Sequence, residues 1–145
     1  AGVGLLGANA YAAAACEAVH RHHFASESGF GAGRIWQFRP GFGEPGQPVA
    51  QAIARTLRRL GVGPGPNTGT GGPDVIPLRA AGVPVATLMQ DGLDYFDFHH
   101  TPDDTLDKID PDALKQNVAA WAAMVWLVSE MEGSLRDPAP AAAAN

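Results

Sequence analysis

An apolar run, Val83-Pro84-Val85-Ala86-Thr87-Leu88, leads into 22 residues crowded with imidazole and carboxylate, and then into the strongest helical pattern of the chain. That succession constrains the fold more than any other feature. The run reads as a buried strand. Residues 89–110 hold two adjacent histidines, three aromatic rings and seven aspartates, far more chemistry than a turn requires. Asp110-Pro111-Asp112 then opens a helix in the expected way: a capping carboxylate, proline at the first position and a second acid on the positive pole. Leu114, Val118, Trp121, Val125 and Val128 recur at steps of four and three, with Met124 and Met131 beside them, and predict a buried stripe. Burial at about 1.5–3 kcal/mol per side chain would make this helix the anchor of the loop before it. Strand, loop and helix in that order place the loop at the carboxyl end of a strand, where open α/β sheets bind ligands. The loop is read as a metal or ligand loop, with a solvated acidic turn as the plainer alternative.

The chain has 145 residues, enough for one domain with a real core and too few for two. Apolar residues make up 46 %, which excludes a disordered chain. A net charge of -5 leaves no electrostatic footprint for nucleic acid, and no apolar run is long enough to span a bilayer. Cys16 is alone, so no disulfide framework exists and the compartment stays open. The chain reads as soluble; an export signal, and with it a secreted parent protein, would have to lie upstream.

Upstream, residues 5–19 read as an alanine-rich helix with Leu5, Ala8, Tyr11, Ala12, Ala15 and Val19 on the side that packs, on a sheet by expectation. His20, His22 and His23 suit the negative pole at its end. Residues 23–27 are a candidate short strand ending in Glu27-Ser28-Gly29-Phe30-Gly31-Ala32-Gly33, where glycine permits close backbone approach. Glu27 is a ligand, a general base or a plain solvated carboxylate. Ile35 to Arg39 is a second short strand. Residues 47–60 form an amphipathic helix with Val49, Ile53, Leu57 and Leu60 inward, closed by Gly61. Residues 61–72, dense in glycine and proline, read as an irregular loop. Residues 73–82 form a short helix closed by Gly82, with Asp74 as its cap. This alternation is that of an α/β domain. So few strands make an incomplete sheet whose edge needs a partner.

The segment from Tyr95 through Phe96-Asp97-Phe98-His99-His100-Thr101-Pro102-Asp103-Asp104-Thr105 to Pro111 closely resembles the C-terminal signature of the co-catalytic zinc exopeptidases, which include leucyl aminopeptidases, aminopeptidase Y and the carboxypeptidase Q type. Gly4-Leu5-Leu6-Gly7-Ala8 with Ala10-Tyr11 resembles the helix start after that family's paired glutamates. Glu27-Ser28-Gly29-Phe30-Gly31 resembles its Glu-Ser-Asp-x-Gly segment, and Gly71-Gly72-Pro73-Asp74 with Pro77-Leu78 also fits. The resemblance implies a three-layer α/β/α sandwich whose sheet is incomplete here, residues 1–136 forming the C-terminal part of a catalytic domain and residues 137–145 a disordered tail. It implies zinc as cofactor and a peptide or dipeptide as substrate, cleaved at a chain end by metal-activated water. His100 takes the place of the last histidine ligand, with Tyr95, Phe96 and His99 lining the substrate pocket, although Tyr95 and Phe96 could equally pack under the loop. Gly29 stands where an aspartate ligand is expected, and Glu27 is the alternative carboxylate. Asp104 is implied as a supporting partner or helix cap. The paired glutamates fall on Ala1 and Gly2, and the remaining ligands lie upstream. One imidazole cannot fix a catalytic zinc, which needs about three protein ligands. The expectation is therefore a peptidase portion inactive by itself, or else a non-catalytic binding or dimerisation module acting as a homodimer.

Overall fold

The computed structural model describes residues 4–137. Asp110 caps the last helix, α5 (Pro111–Glu130), its carboxylate accepting from the Asp112 N–H at 2.8 Å. Helix α2 (Gln47–Leu57) carries Pro48 in its first turn and buries Ala50, Ile53 and Leu57. Its last turn tightens at Arg58–Leu60 and Gly61, at φ +79°, stops it. Together α2 and α5 pack on strand β1 (Ile35–Gly41). Strand β3 (Val85–Gln90) pairs with β1 antiparallel, and the two-residue β2 (Gly63–Pro64) pairs with it parallel, giving the order β2-β1-β3. The core is Ile35, Phe38, Phe42, Ile53, Leu57 and Met124, closed at one end by Leu135. Helices with a small mixed sheet make this an incomplete α/β fold.

Several expectations change. The strand over 23–27 reduces to one parallel bridge between Ala25 and Val85, because by Glu27 the backbone has turned to Gly71, whose carbonyl takes its N–H, and three glycines follow at once. Helix α1 (Leu6–Ala14) buries no residue and packs on α3 (Ile76–Ala80) and the 3-10 turn before it rather than on the sheet; its alanines and Tyr11 stay accessible. The loop 61–72 contains β2, since Gly63 and Pro64 follow the edge of β1. Neither helical turn after Gly72 has a side-chain cap; it is the Asp74 N–H that is engaged, donating to Glu27. Residues 138–145 of the expected tail lie outside the described residues; Asp137 is exposed, its Oδ1 accepting from the Glu44 N–H at 2.8 Å.

The largest correction concerns α5. Three of the five expected stripe residues face out, Leu114, Val118 and Val125 being 43, 61 and 52 % exposed. Val128 and the neighbouring Met124 are buried as expected, and Trp121 is half-buried. The buried face is Ala113, Gln116, Asn117, Ala120, Met124 and Val128. Hydrogen bonds explain the rotation. Arg34 O accepts from the Asp91 N–H, so the N–H and C=O of Ile35 point away from β3, and β2 begins only opposite Gln37. The Gln116 amide takes both: its Oε1 accepts from Ile35 N at 2.9 Å, and its Nε2 donates to Ile35 O at 2.7 Å and to Leu60 O at 3.2 Å. Asn117 Nδ2 donates to Gly33 O and Ala113 O, and its Oδ1 accepts from Gln90 Nε2 at 2.7 Å. Leaving such groups unpaired in the core costs about 1–3 kcal/mol each, so the amides, not the aliphatic stripe, set which side of the helix faces in.

Gln116→Ala should therefore lower unfolding free energy by about 1–3 kcal/mol in urea denaturation, while Leu114→Ala changes it by less than about 0.5 kcal/mol. The reverse ranking would show that the aliphatic stripe is the inner face.

Candidate functional site

Where β3 ends at Gln90, the chain turns through Asp91, whose Oδ1 accepts from the Leu93 N–H at 3.1 Å, into the short helix α4 (Tyr95–Phe98). A single helical turn places Tyr95 and His99 on one side, four residues apart. There the rings stack: Phe30 on Tyr95 at 4.3 Å between centroids, Tyr95 on His99 at 4.5 Å, and His99 on His100 at 3.7 Å. Phe96 meets Tyr95 edge-on at 5.0 Å and is largely exposed. The Tyr95 hydroxyl donates to Gly29 O at 3.5 Å, so the ladder spans from the glycine turn to the histidines. Four of the residues singled out in the sequence, Tyr95, Phe96, His99 and His100, thus come together, and Gly29 lies at the foot of the ladder.

His100 is exposed and has φ +59°. A left-handed residue with a Cβ costs about 1–2 kcal/mol relative to the ordinary basin. The following turn holds it: Thr101 N and Oγ1 both donate to Phe98 O, the latter at 2.7 Å, and Asp104 N donates to Thr101 O. Asp104 is exposed and serves the loop through its backbone. The capping of α5 falls to Asp110 instead. Further along, Lys108 pairs with Asp103 and Asp107 at 3.4 Å each, exposed pairs of small energetic value. The Thr105 hydroxyl, with backbone and Lys108 contacts behind it, holds the Asp107 carboxyl below the usual carboxylate range.

Glu27 is where the structure speaks most plainly about ligands. Its N–H donates to Gly71 O at 2.8 Å and its Oε2 accepts from the Asp74 N–H at 2.6 Å. The side chain runs beside Gly72, where an added Cβ would come within 2.6 Å of Oε2. Its Oε1 stands in the space a Cβ at position 29 would enter. Glu27 is therefore a strut between the glycine turn and the turn at Pro73–Val75. Position 29 offers no donor of its own. Among the described residues no group of three or more His, Cys, Asp or Glu can hold a metal ion, so the described residues do not by themselves fit a zinc centre.

Beside the ladder opens a cleft of about 740 Å³ whose wall includes Tyr95, His99, Arg34, Asp94, Lys108 and Ile109. Phe30 and Arg34 were not singled out in the sequence. Phe30 was signalled only by an aromatic set between glycines, and it packs so closely on Gly92 that a Cβ there would strike its ring.

The class this defines is an incomplete α/β domain with a histidine-bearing loop at the carboxyl end of a strand. The model of Peptidase family M28 matches residues 3–125, and the chain belongs to that family. Carboxypeptidase Q of Homo sapiens is 42 % identical over 55 residues, which are 38 % of this chain and 12 % of that protein. Carboxypeptidase Q of Xenopus laevis is 38 % identical over 64 residues, 44 % of this chain and 14 % of that one. The crystal structure of a Peptidase M28 precursor from Shewanella amazonensis SB2B superposes with a TM-score of 0.88 at 48 % identity, covering 94 % of this chain and 31 % of the other. The chain thus spans well under half the length of the relatives it matches.

Because the strain at His100 resides in its Cβ, His100→Gly should leave stability unchanged or raise it by up to about 1 kcal/mol. His100→Val should lower it by at least about 1 kcal/mol. Thermal or urea unfolding checks both, and a destabilised glycine variant would mean that the imidazole, not the backbone, holds the loop.

Proposed function

We propose that this chain is the C-terminal portion of a metallopeptidase catalytic domain that removes residues from peptide ends, and that it is inactive alone. In the complete domain His100 serves as a metal ligand, and Tyr95, Phe96 and His99 line the pocket for a peptide or dipeptide. The carrying observation is the stacked ladder that presents an exposed His100 in a held left-handed conformation above the glycine turn. A ligand must be accessible and fixed before metal arrives, and stacking together with the Thr101 turn does both. The carboxypeptidase Q relatives and the Peptidase M28 precursor support a peptidase. Zinc is the metal that the family resemblance suggests, and its water chemistry needs about three protein ligands. This chain offers one imidazole, with Glu27 already committed to the Asp74 N–H. The other ligands and the general base come from outside it. No helix among the described residues is long and apolar enough to cross a membrane.

A second reading, a non-catalytic peptidase-like module that binds or dimerises, is favoured by one observation: the tethered Glu27 beside a glycine in the expected aspartate position.

Residues 1–145 supplied with zinc should release no amino acid from dipeptides or aminoacyl anilides. Turnover that disappears in His100→Ala would contradict the proposal.

A further inference from the structure

The cleft beside the ladder holds a cation that nothing so far employs. Its volume of about 740 Å³ falls within the roughly 300–1,000 Å³ of small-ligand sites. Two cations line it, Arg34 and Lys108. Lys108 is neutralised by Asp103 and Asp107 and lies over the Phe98 ring, 5.9 Å from its centroid. Arg34 is different: among the described residues its guanidinium makes no ion pair, hydrogen bond or ring contact.

The backbone beneath that guanidinium is fixed. Gly33 O accepts from Asn117 Nδ2 at 2.9 Å, and Arg34 O accepts from the Asp91 N–H at 2.8 Å. Gly33 approaches the Asp91 carbonyl so closely that a Cβ would strike it. Arg34 is thereby held between the glycine turn and the loop that carries Tyr95 and His99, which line the same cleft. Four aspartates also line it, yet none pairs with Arg34. Asp91 and Asp110 instead accept the N–H groups of Leu93 and Asp112, while the carboxylates of Asp94 and Asp104 have no partner among the described residues. This distribution of charge selects a ligand. The acidic wall repels a multiply charged anion such as inorganic phosphate. One carboxylate on an otherwise neutral or cationic molecule meets a guanidinium whose donors are all unspent.

We infer that Arg34 is a specificity-determining residue, its guanidinium donating paired hydrogen bonds to a carboxylate of the peptide held in this cleft. An ion pair exposed to solvent is worth little. Covered by the bound peptide, over a wall that includes Tyr95, Phe98 and Ile109, the pair is shielded from water and holds more strongly. The carboxylate belongs to the peptide's C-terminus or to an acidic side chain, and the guanidinium reads both alike. The inference rests on the proposed reading of the cleft as a peptide pocket. It goes further in naming the residue and the group that it selects.

The test is the binding of short peptides to residues 1–145 without added metal, followed by shifts of the backbone amide resonances. Glycyl-leucine carries a terminal carboxylate, glycyl-glutamate α-amide only a side-chain carboxylate, and glycyl-leucine amide neither. At least one of the two acids should bind about tenfold or more tightly than glycyl-leucine amide, and the one that does assigns the carboxylate. Arg34→Gln should bring both acids to the affinity of the amide, which itself should not change. Arg34→Lys, which keeps the charge without the planar fork, should retain part of the preference, and Lys108→Gln should leave it in place. Equal affinities for acids and amide in the unaltered chain would overturn the inference, as would a preference that survives Arg34→Gln or disappears in Lys108→Gln. So would the absence of saturable binding by all three peptides. The readout needs neither metal nor turnover. Hydrolysis by the unaltered chain would therefore contradict the proposed inactivity alone, and a missing preference would leave the metal role of His100 standing.

Discussion

Everything in this structure depends on how the start of β1 satisfies its backbone. Ile35 turns its N–H and C=O away from β3 and has no strand on the other side. A buried peptide group in that position must find a partner, and the side chain of Gln116 supplies one for each. Once Gln116 is committed, the rotation of a twenty-residue helix is fixed. Asn117 then falls beside Gln90 and Gly33. A helix packed only by its aliphatic stripe would sit differently.

The same network reaches the histidine loop. Gln90 Nε2 donates to Gly31 O as well as to Asn117 Oδ1, tying the end of β3 to the glycine turn. Phe30 lies in that turn and supports Tyr95, which supports His99 and in turn His100. The histidine loop is therefore positioned by contacts that this chain makes with itself. The carboxylate complement is different. Glu27 braces the backbone at Asp74, and residue 29 has no side chain to give.

Much of this was legible in the residues. The cap at Asp110, the stop at Gly61, the short strand at Ile35 and the clustering of Tyr95, His99 and His100 all follow from local rules of capping, periodicity and motif. The later strand begins two residues into the apolar run, because Val83 and Pro84 are spent on the turn: Val83 N donates to Leu78 O. The facing of α5 was not legible, since apolar spacing does not register which backbone groups elsewhere lack partners. The role of Glu27 was hidden for a similar reason. Its partner, the Asp74 N–H, lies 47 positions away, and nothing in the local sequence distinguishes a brace from a ligand. Helix α1 misled through propensity: alanine favours a helix without saying what, if anything, covers it.

The histidine loop is built, while no group of three or more His, Cys, Asp or Glu among the described residues can hold a metal ion. Elemental analysis of residues 1–145, purified with zinc and then dialysed, tests this most directly. Zinc well below one equivalent per chain, in a protein whose circular dichroism shows it folded, is the predicted result. Tightly held zinc at one or more equivalents, lost on His100→Ala or Glu27→Gln, would contradict it.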